Sequence, residues 1–231
     1  MIKSKGIFLT VRDFFRKYSF FPPILVLLTN LISSFPTRPL IPASRLHDIV
    51  TAWDLKIPFV PEFIHIYFLA FVQWAVCLIA VMLLDKRASW YYCIGMSIGN
   101  VIAGIIFLLF PTVMTIRPEL TGSGFTYRLA TMIFSADDPP LNLFPSIHCL
   151  LSWGCARMIF AVKRLPKTVK YINAVFSAAV FASVLFVKQH YVIDVPAGIL
   201  AFEAGLVITK YSHIHEKLAA VESRILKEKD K

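Results

Sequence analysis

Charge is scarce in this chain. Of its 231 residues only 16% are Asp, Glu, Lys or Arg, against about 25% in an average soluble domain, while 57% are hydrophobic and the mean hydropathy is +0.68. That balance excludes an ordinary water-soluble enzyme. Acidic residues are the scarcer sign: 14 Asp and Glu stand against 24 Lys and Arg, a formal net charge of +10. A basic balance can mark a nucleic-acid binder, but here the cations flank apolar runs and no basic-aromatic motif accompanies them. Nucleic acid is therefore not an expected partner. The four cysteines, Cys77, Cys93, Cys149 and Cys155, lack C-x-x-C spacing and fall in or beside apolar runs, where thiols pack as small hydrophobes. Low-complexity segments and N-x-S/T sequons are also missing.

What the chain has instead is length of apolar sequence. A helical span needs about 20 such residues. Runs at 63–84 and 90–110 meet that need, broken only by His65 and Gln73 in the first and Ser97 and Asn100 in the second. Further runs lie at 149–162, which reaches back to Pro145 and contains Arg157, at 171–187, and at 191–211, which contains Glu203. The run at 18–35 opens on Pro22-Pro23 and is diluted by Thr29, Asn30, Ser33 and Ser34. Basic residues precede it as in a signal peptide, yet no small-x-small cleavage site follows before Pro36, so a retained helix is expected.

The expected fold class is thus all-α, a polytopic membrane protein with six transmembrane helices in a bundle. Its parts are an N-terminal segment (1–17), the six-helix catalytic domain (18–211) and a basic tail (212–231). Even crossings place both termini on one side. That side receives seventeen of the 24 basic residues, from Lys3 to Lys17, at Lys86 and Arg87, between Lys163 and Lys170, at Lys210 and in the tail. Arg38, Arg45, Lys56, Arg117, Arg128 and Lys188 fall on the other. By the positive-inside rule the termini are cytoplasmic, with a plasma membrane the expected location. In the tail, Ile214, Leu218, Val221 and Ile225 recur at helical spacing, which predicts an extension of the last helix or an interfacial one.

Ionisable groups at membrane depth are costly and point to function. Pro145-Ser146-Ile147-His148 opens the fourth span, and the stretch from Lys188 to Asp194 straddles the fifth and sixth. Arg117-Pro118 lies in the connecting loop of the same outer side. If the last span begins near His190, Asp194 lies one turn on and can accept a hydrogen bond from one ring nitrogen, leaving the other as a nucleophile. His148 could protonate a leaving oxygen, while Arg117, Lys188 and the amides behind Ser146 could hold phosphate oxygens. The set reads as phosphoryl transfer with no metal and no cofactor. Two histidines could also be zinc ligands, but a third protein ligand is not evident beside them. His47, His65, His213 and His215 read as anchors or packing residues.

Arg117-Pro118, the Pro-Ser-Ile-His run at 145–148 and the stretch from Ser183 through His190 to Asp194 resemble the three signature motifs of the type 2 phosphatidic acid phosphatase superfamily, in matching order and spacing. The resemblance covers roughly residues 63–211. It implies metal-independent cleavage of a lipid phosphate, with His190 as nucleophile, Asp194 as its partner, His148 as general acid and base, and Arg117 and Ser146 on the phosphate. Two cations of the family pattern are missing: Phe110 and Val184 stand at their positions. Lys188 or Arg128 could replace them. The segment from Asp138 to His148 looks more like the branch of inositolphosphotransferases and sphingomyelin synthase-like enzymes.

The expected function is therefore a membrane lipid phosphatase acting on a phosphorylated or pyrophosphorylated lipid. The alternative is a phospholipid headgroup transferase, and a third reading is a non-enzymatic transporter with Glu203 on its path. The expected partners are a lipid phosphate or phospholipid substrate and the membrane itself.

Overall fold

A computed structural model of the chain describes residues 18–34 and 40–228; the segment 1–17 lies outside the described residues. The helices are α1 (Phe21–Ser34), α2 (Ala52–Lys56), α3 (Ile64–Leu84), α4 (Lys86–Leu109), α5 (Phe125–Ala136), α6 (Ile147–Ala161), α7 (Lys167–Phe186), α8 (Asp194–Ser212) and α9 (Ile214–Glu228). Among the described residues there is no strand, only the isolated bridges His47–Thr112 and Val113–Leu141. The protein is all-helical, as expected.

Among the described residues, three helical stretches are long and apolar enough to cross a membrane: Pro61–Leu84, Lys86–Leu109 and Lys167–Phe186. The six expected spans correspond to six helices, but the other three fall short for identifiable reasons. Helix α1 has 14 residues and α6 has 15, about 21–23 Å of rise against a hydrocarbon core of about 30 Å. Helix α6 starts at Ile147 because Ser146, with extended backbone (ψ 113°), caps it by accepting the Cys149 amide. Helix α8 has 19 residues but carries Asp194, Glu203 and Lys210. It also starts at Asp194 and not near His190, which therefore lies in the preceding turn.

The surface of the long helices is patterned for an apolar solvent. On α3, Leu69, Val72, Val76, Ile79 and Leu83 are exposed at helical spacing, whereas the one amide, Gln73, faces inward. Gln73 Nε2 donates to Ser177 Oγ (2.8 Å) and Asn173 Oδ1 (2.9 Å) of α7. This inside-out arrangement, polar groups paired within and aliphatic groups outside, is what hydrocarbon around the helices requires. On α7, Ile172 and Val175 repeat it.

Helices α4 and α8 form the tightest seam, because glycine lets their backbones meet. A Cβ on Gly205 would lie 2.2 Å from the carbonyl oxygen of Gly95. Around this seam Met96, Ala103, Phe107, Leu150, Met158, Phe202 and Leu206 make the main core. The four cysteines are free and buried.

The tail does not simply prolong α8. His213 adopts a left-handed conformation (φ 52°), and α9 turns back against α4. Its Glu222, 4% exposed, accepts a hydrogen bond from Ser19 Oγ and pairs with Lys86 Nζ at 3.0 Å, so one carboxylate ties the starts of α1 and α4 to α9. Replacing Gly205 with Ala should push α4 and α8 apart and cost about 1–3 kcal/mol. A thermal melt of the detergent-solubilised variant within a degree of the wild type would refute that packing.

Candidate active site

The turn between α7 and α8 holds the site. The carbonyl of Val184 accepts the amides of both Gln189 (2.9 Å) and His190 (3.1 Å), and Lys188 takes a left-handed φ of 53° to make the bend. The chain then meets Asp194, whose side chain is fully buried. Its Oδ2 accepts the Tyr191 amide at 2.8 Å and faces His190 Nδ1 at 3.2 Å. The histidine and aspartate therefore pair through a turn that folds back on the helix start, and not along one helix face as the spacing had implied.

The same residue places the second histidine. The Asp194 carbonyl accepts the Ser146 amide at 3.1 Å, which brings the start of α6 against the start of α8. Gly198 allows this approach, since a Cβ there would lie 2.2 Å from the Ser146 carbonyl oxygen. His148, in the first turn of α6, then has its ring centre 5.8 Å from that of His190. It packs among Tyr67 (4.5 Å, stacked), Trp74 (5.3 Å) and Phe71 (5.8 Å) of α3. Trp74 Nε1 is itself fixed by Ser152 Oγ at 2.9 Å.

His190 Nδ1 lies 3.0 Å from the Leu143 carbonyl as well as 3.2 Å from Asp194. Two acceptors at one nitrogen require it to carry the proton. In the neutral ring this leaves the lone pair on Nε2. Both histidines line a cavity of about 280 Å³, together with Tyr67, Phe71, Trp74, Phe107, Asn30, Asn142, Asp137 and Gln189. Among the described residues that line it there is no Lys or Arg.

The predicted catalytic residues are thus brought together, whereas the predicted phosphate-binding residues are not. Ser146 Oγ accepts the Cys149 amide as the cap of α6. Arg117 binds the Asp137 carboxylate, the Asp137 carbonyl (3.0 Å) and the Lys188 carbonyl (3.4 Å). Lys188 Nζ donates to the carbonyls of Asp54 (2.9 Å) and Ile57 (2.5 Å). Burial pushes its ammonium below the usual value, against the opposing pull of the Asp54 carboxylate. None of the three lines the cavity, and Arg128 borders a separate hollow beside Gly122 and Tyr127. These cations stand in the right segments, but buried carbonyls and a carboxylate claim them first.

No protein-family model matches the chain, and a search of the curated proteins finds no match.

Sequence reasoning missed Asp54, which holds the turn from outside. Its carboxylate, 3% exposed, accepts the Val192 amide (2.7 Å) through Oδ1 and the Thr51 amide (2.7 Å) through Oδ2. The Thr51-x-x-Asp54 capping pattern was the available signal. It also missed the Tyr67, Phe71 and Trp74 box, which is legible as aromatics spaced four and three apart on one helix face. A second outer tie runs from Tyr191 Oη to Asp48 Oδ1 at 2.9 Å, with Thr115 Oγ1 on Oδ2 at 2.7 Å. Burial would raise the Asp48 carboxyl, but hydrogen bonds from Thr115, the Val50 amide and Tyr191 outweigh it and hold it below the ordinary value.

Two outcomes follow from these ties. Asp54→Ala should leave the Val192 amide without its acceptor, at a cost of about 1–3 kcal/mol; unchanged hydrogen exchange at Val192 would contradict this. Because the Asp48 value is depressed on folding, its ties stabilise the protein at neutral pH. They are lost as pH falls through the folded value. The acid-side drop in melting temperature should therefore be shallower in Asp48→Asn than in the wild type.

Proposed function

We propose that the protein is a membrane-embedded enzyme that cleaves a lipid phosphate ester through a phosphohistidine on His190. The observation that carries this reading is the His190 ring, with Nδ1 held by Asp194 and Leu143, at a cavity that His148 shares. In this reading α1, α3, α4, α6, α7 and α8 are six spans, the short ones accommodated by flanking residues and local thinning. The cation-rich ends, with both termini, are cytoplasmic. The cavity then opens on the opposite face of a plasma membrane.

The chemistry follows from the ring's orientation. His190 Nε2 attacks phosphorus with its lone pair, and the bond from phosphorus to the leaving oxygen breaks. His148 in its protonated form gives that oxygen a proton. Asp194 stabilises the positive charge that develops on the His190 ring, as a buried carboxylate does behind a catalytic histidine. In the second half, an acceptor hydroxyl gives its proton to His148 as its oxygen attacks the phosphohistidine, and His190 leaves as the neutral ring. With water as acceptor the enzyme is a phosphatase.

One observation favours the alternative, a headgroup transferase in which a lipid hydroxyl is the acceptor. A phosphate monoester approaches two negative charges at neutral pH, whereas a phosphodiester carries one, and no Lys or Arg lines the cavity among the described residues. A cavity so poor in cations suits the diester.

The experiment separates these cases. Purified protein in detergent, given phosphatidic acid or labelled phosphatidylcholine plus diacylglycerol or ceramide, should release label to water or pass it to lipid. His190→Ala should abolish turnover and Asp194→Asn lower it about a hundredfold or more. Turnover that survives loss of His190 sinks the mechanism.

A further inference from the structure

Gln189 stands one residue before His190 and lines the same cavity as both histidines. It is 5% exposed, so its amide lies out of reach of bulk solvent. Yet its Nε2 has no hydrogen-bond partner among the described residues, and neither does His148 Nε2. Buried donors are normally satisfied, and one left open beside a cavity calls for an acceptor brought by a ligand. The backbone of Gln189 is held firmly, with its amide 2.9 Å from the Val184 carbonyl, so the side chain is presented from a fixed point. Resting on the function proposed above, the question is what holds the substrate's phosphate in a cavity where Arg117 and Lys188 are engaged elsewhere.

We propose that Gln189 Nε2 donates a hydrogen bond to a non-bridging phosphate oxygen of the substrate, supplying through a neutral amide the stabilisation that a cation otherwise would. A preorganised neutral donor in a water-poor site can stabilise developing negative charge strongly. It does so without the excess positive charge that would favour a dianionic monoester over a diester.

The test uses the full chain in detergent micelles, with orthovanadate as a binding probe and with phosphatidic acid and phosphatidylcholine as turnover probes. Gln189→Leu removes the donor, and Gln189→Glu keeps nearly the same shape but replaces the donor with a carboxylate oxygen. Vanadate affinity, read by titration calorimetry, should fall about tenfold or more in the Leu variant and further in the Glu variant, where like charges meet. On the lipid that turns over, kcat/KM should fall about 100- to 1,000-fold, the range for one lost donor to a developing oxyanion. Glu at this position guards against a folding defect in the Leu variant, and matching melting curves identify the variant to be read. Wild-type protein that binds no vanadate, or a folded variant that binds it as tightly as the wild type, overturns the proposal. His190→Ala separates the two claims: if it retains turnover the phosphohistidine reading fails, and if it is inactive while Gln189→Leu matches the wild type, the role of Gln189 alone falls.

Discussion

A fully buried carboxylate depends on the partners the protein supplies, and Asp194 concentrates its own on one oxygen, Oδ2. One oxygen of its fully buried side chain faces His190 Nδ1 and accepts the Tyr191 amide. Its carbonyl holds the Ser146 amide. Through the side chain it orients one histidine, and through the backbone it anchors the helix that bears the other. Moving Asp194 would therefore displace both rings together. This explains why two stretches more than forty residues apart in sequence form one cavity, and why Gly198, one turn along α8, has no room for a side chain beside Ser146.

The same scarcity of solvent partners governs the rest of the bundle. Gln73, Ser177, Ser152 and Trp74 form a connected set of hydrogen bonds between α3, α6 and α7, and the last member packs against His148. Helix packing and histidine placement are in this way one network, because a polar group on an apolar helix either pairs inward or is left unsatisfied. The outer ties through Asp54 and Asp48 do for the turn what the inner network does for α6. They hold Lys188, Tyr191 and Val192 from outside the bundle.

Much of this was legible in the sequence, for reasons that differ by element. Helices α3, α4 and α7 were readable because composition alone makes a long apolar helix. The pairing of His190 with Asp194 was readable too, although by the wrong route: a four-residue spacing fits a helical face and a capping turn equally, and the turn is what formed. The start of α8 and the break at His213 were not readable, since each depends on hydrogen bonds and backbone angles with no periodic signature. Arg117 and Lys188, expected on one side of the membrane, do come together, the Arg117 Nε donating to the Lys188 carbonyl. Their partners, Asp137, Asp54 and Ile57, lie on other segments, and proximity in a layer does not say which oxygen a cation will meet first.

That last point bears on the charge of the cavity. Lys188 sits two residues before His190, yet its ammonium is bound by two carbonyls and its stem is buried, so swinging it into the cavity would leave those carbonyls unpaired. Arg117 would likewise have to abandon the Asp137 carboxylate, which itself lines the cavity, and so would uncover a negative charge there. Freeing either cation thus costs interactions that a single phosphate oxygen would replace only in part. The arrangement is self-consistent without them. Among the described residues that line the cavity, the polar side chains are amides, imidazoles, hydroxyls, an indole and one carboxylate paired with Arg117, a set that holds no Lys or Arg to offset a doubly charged anion.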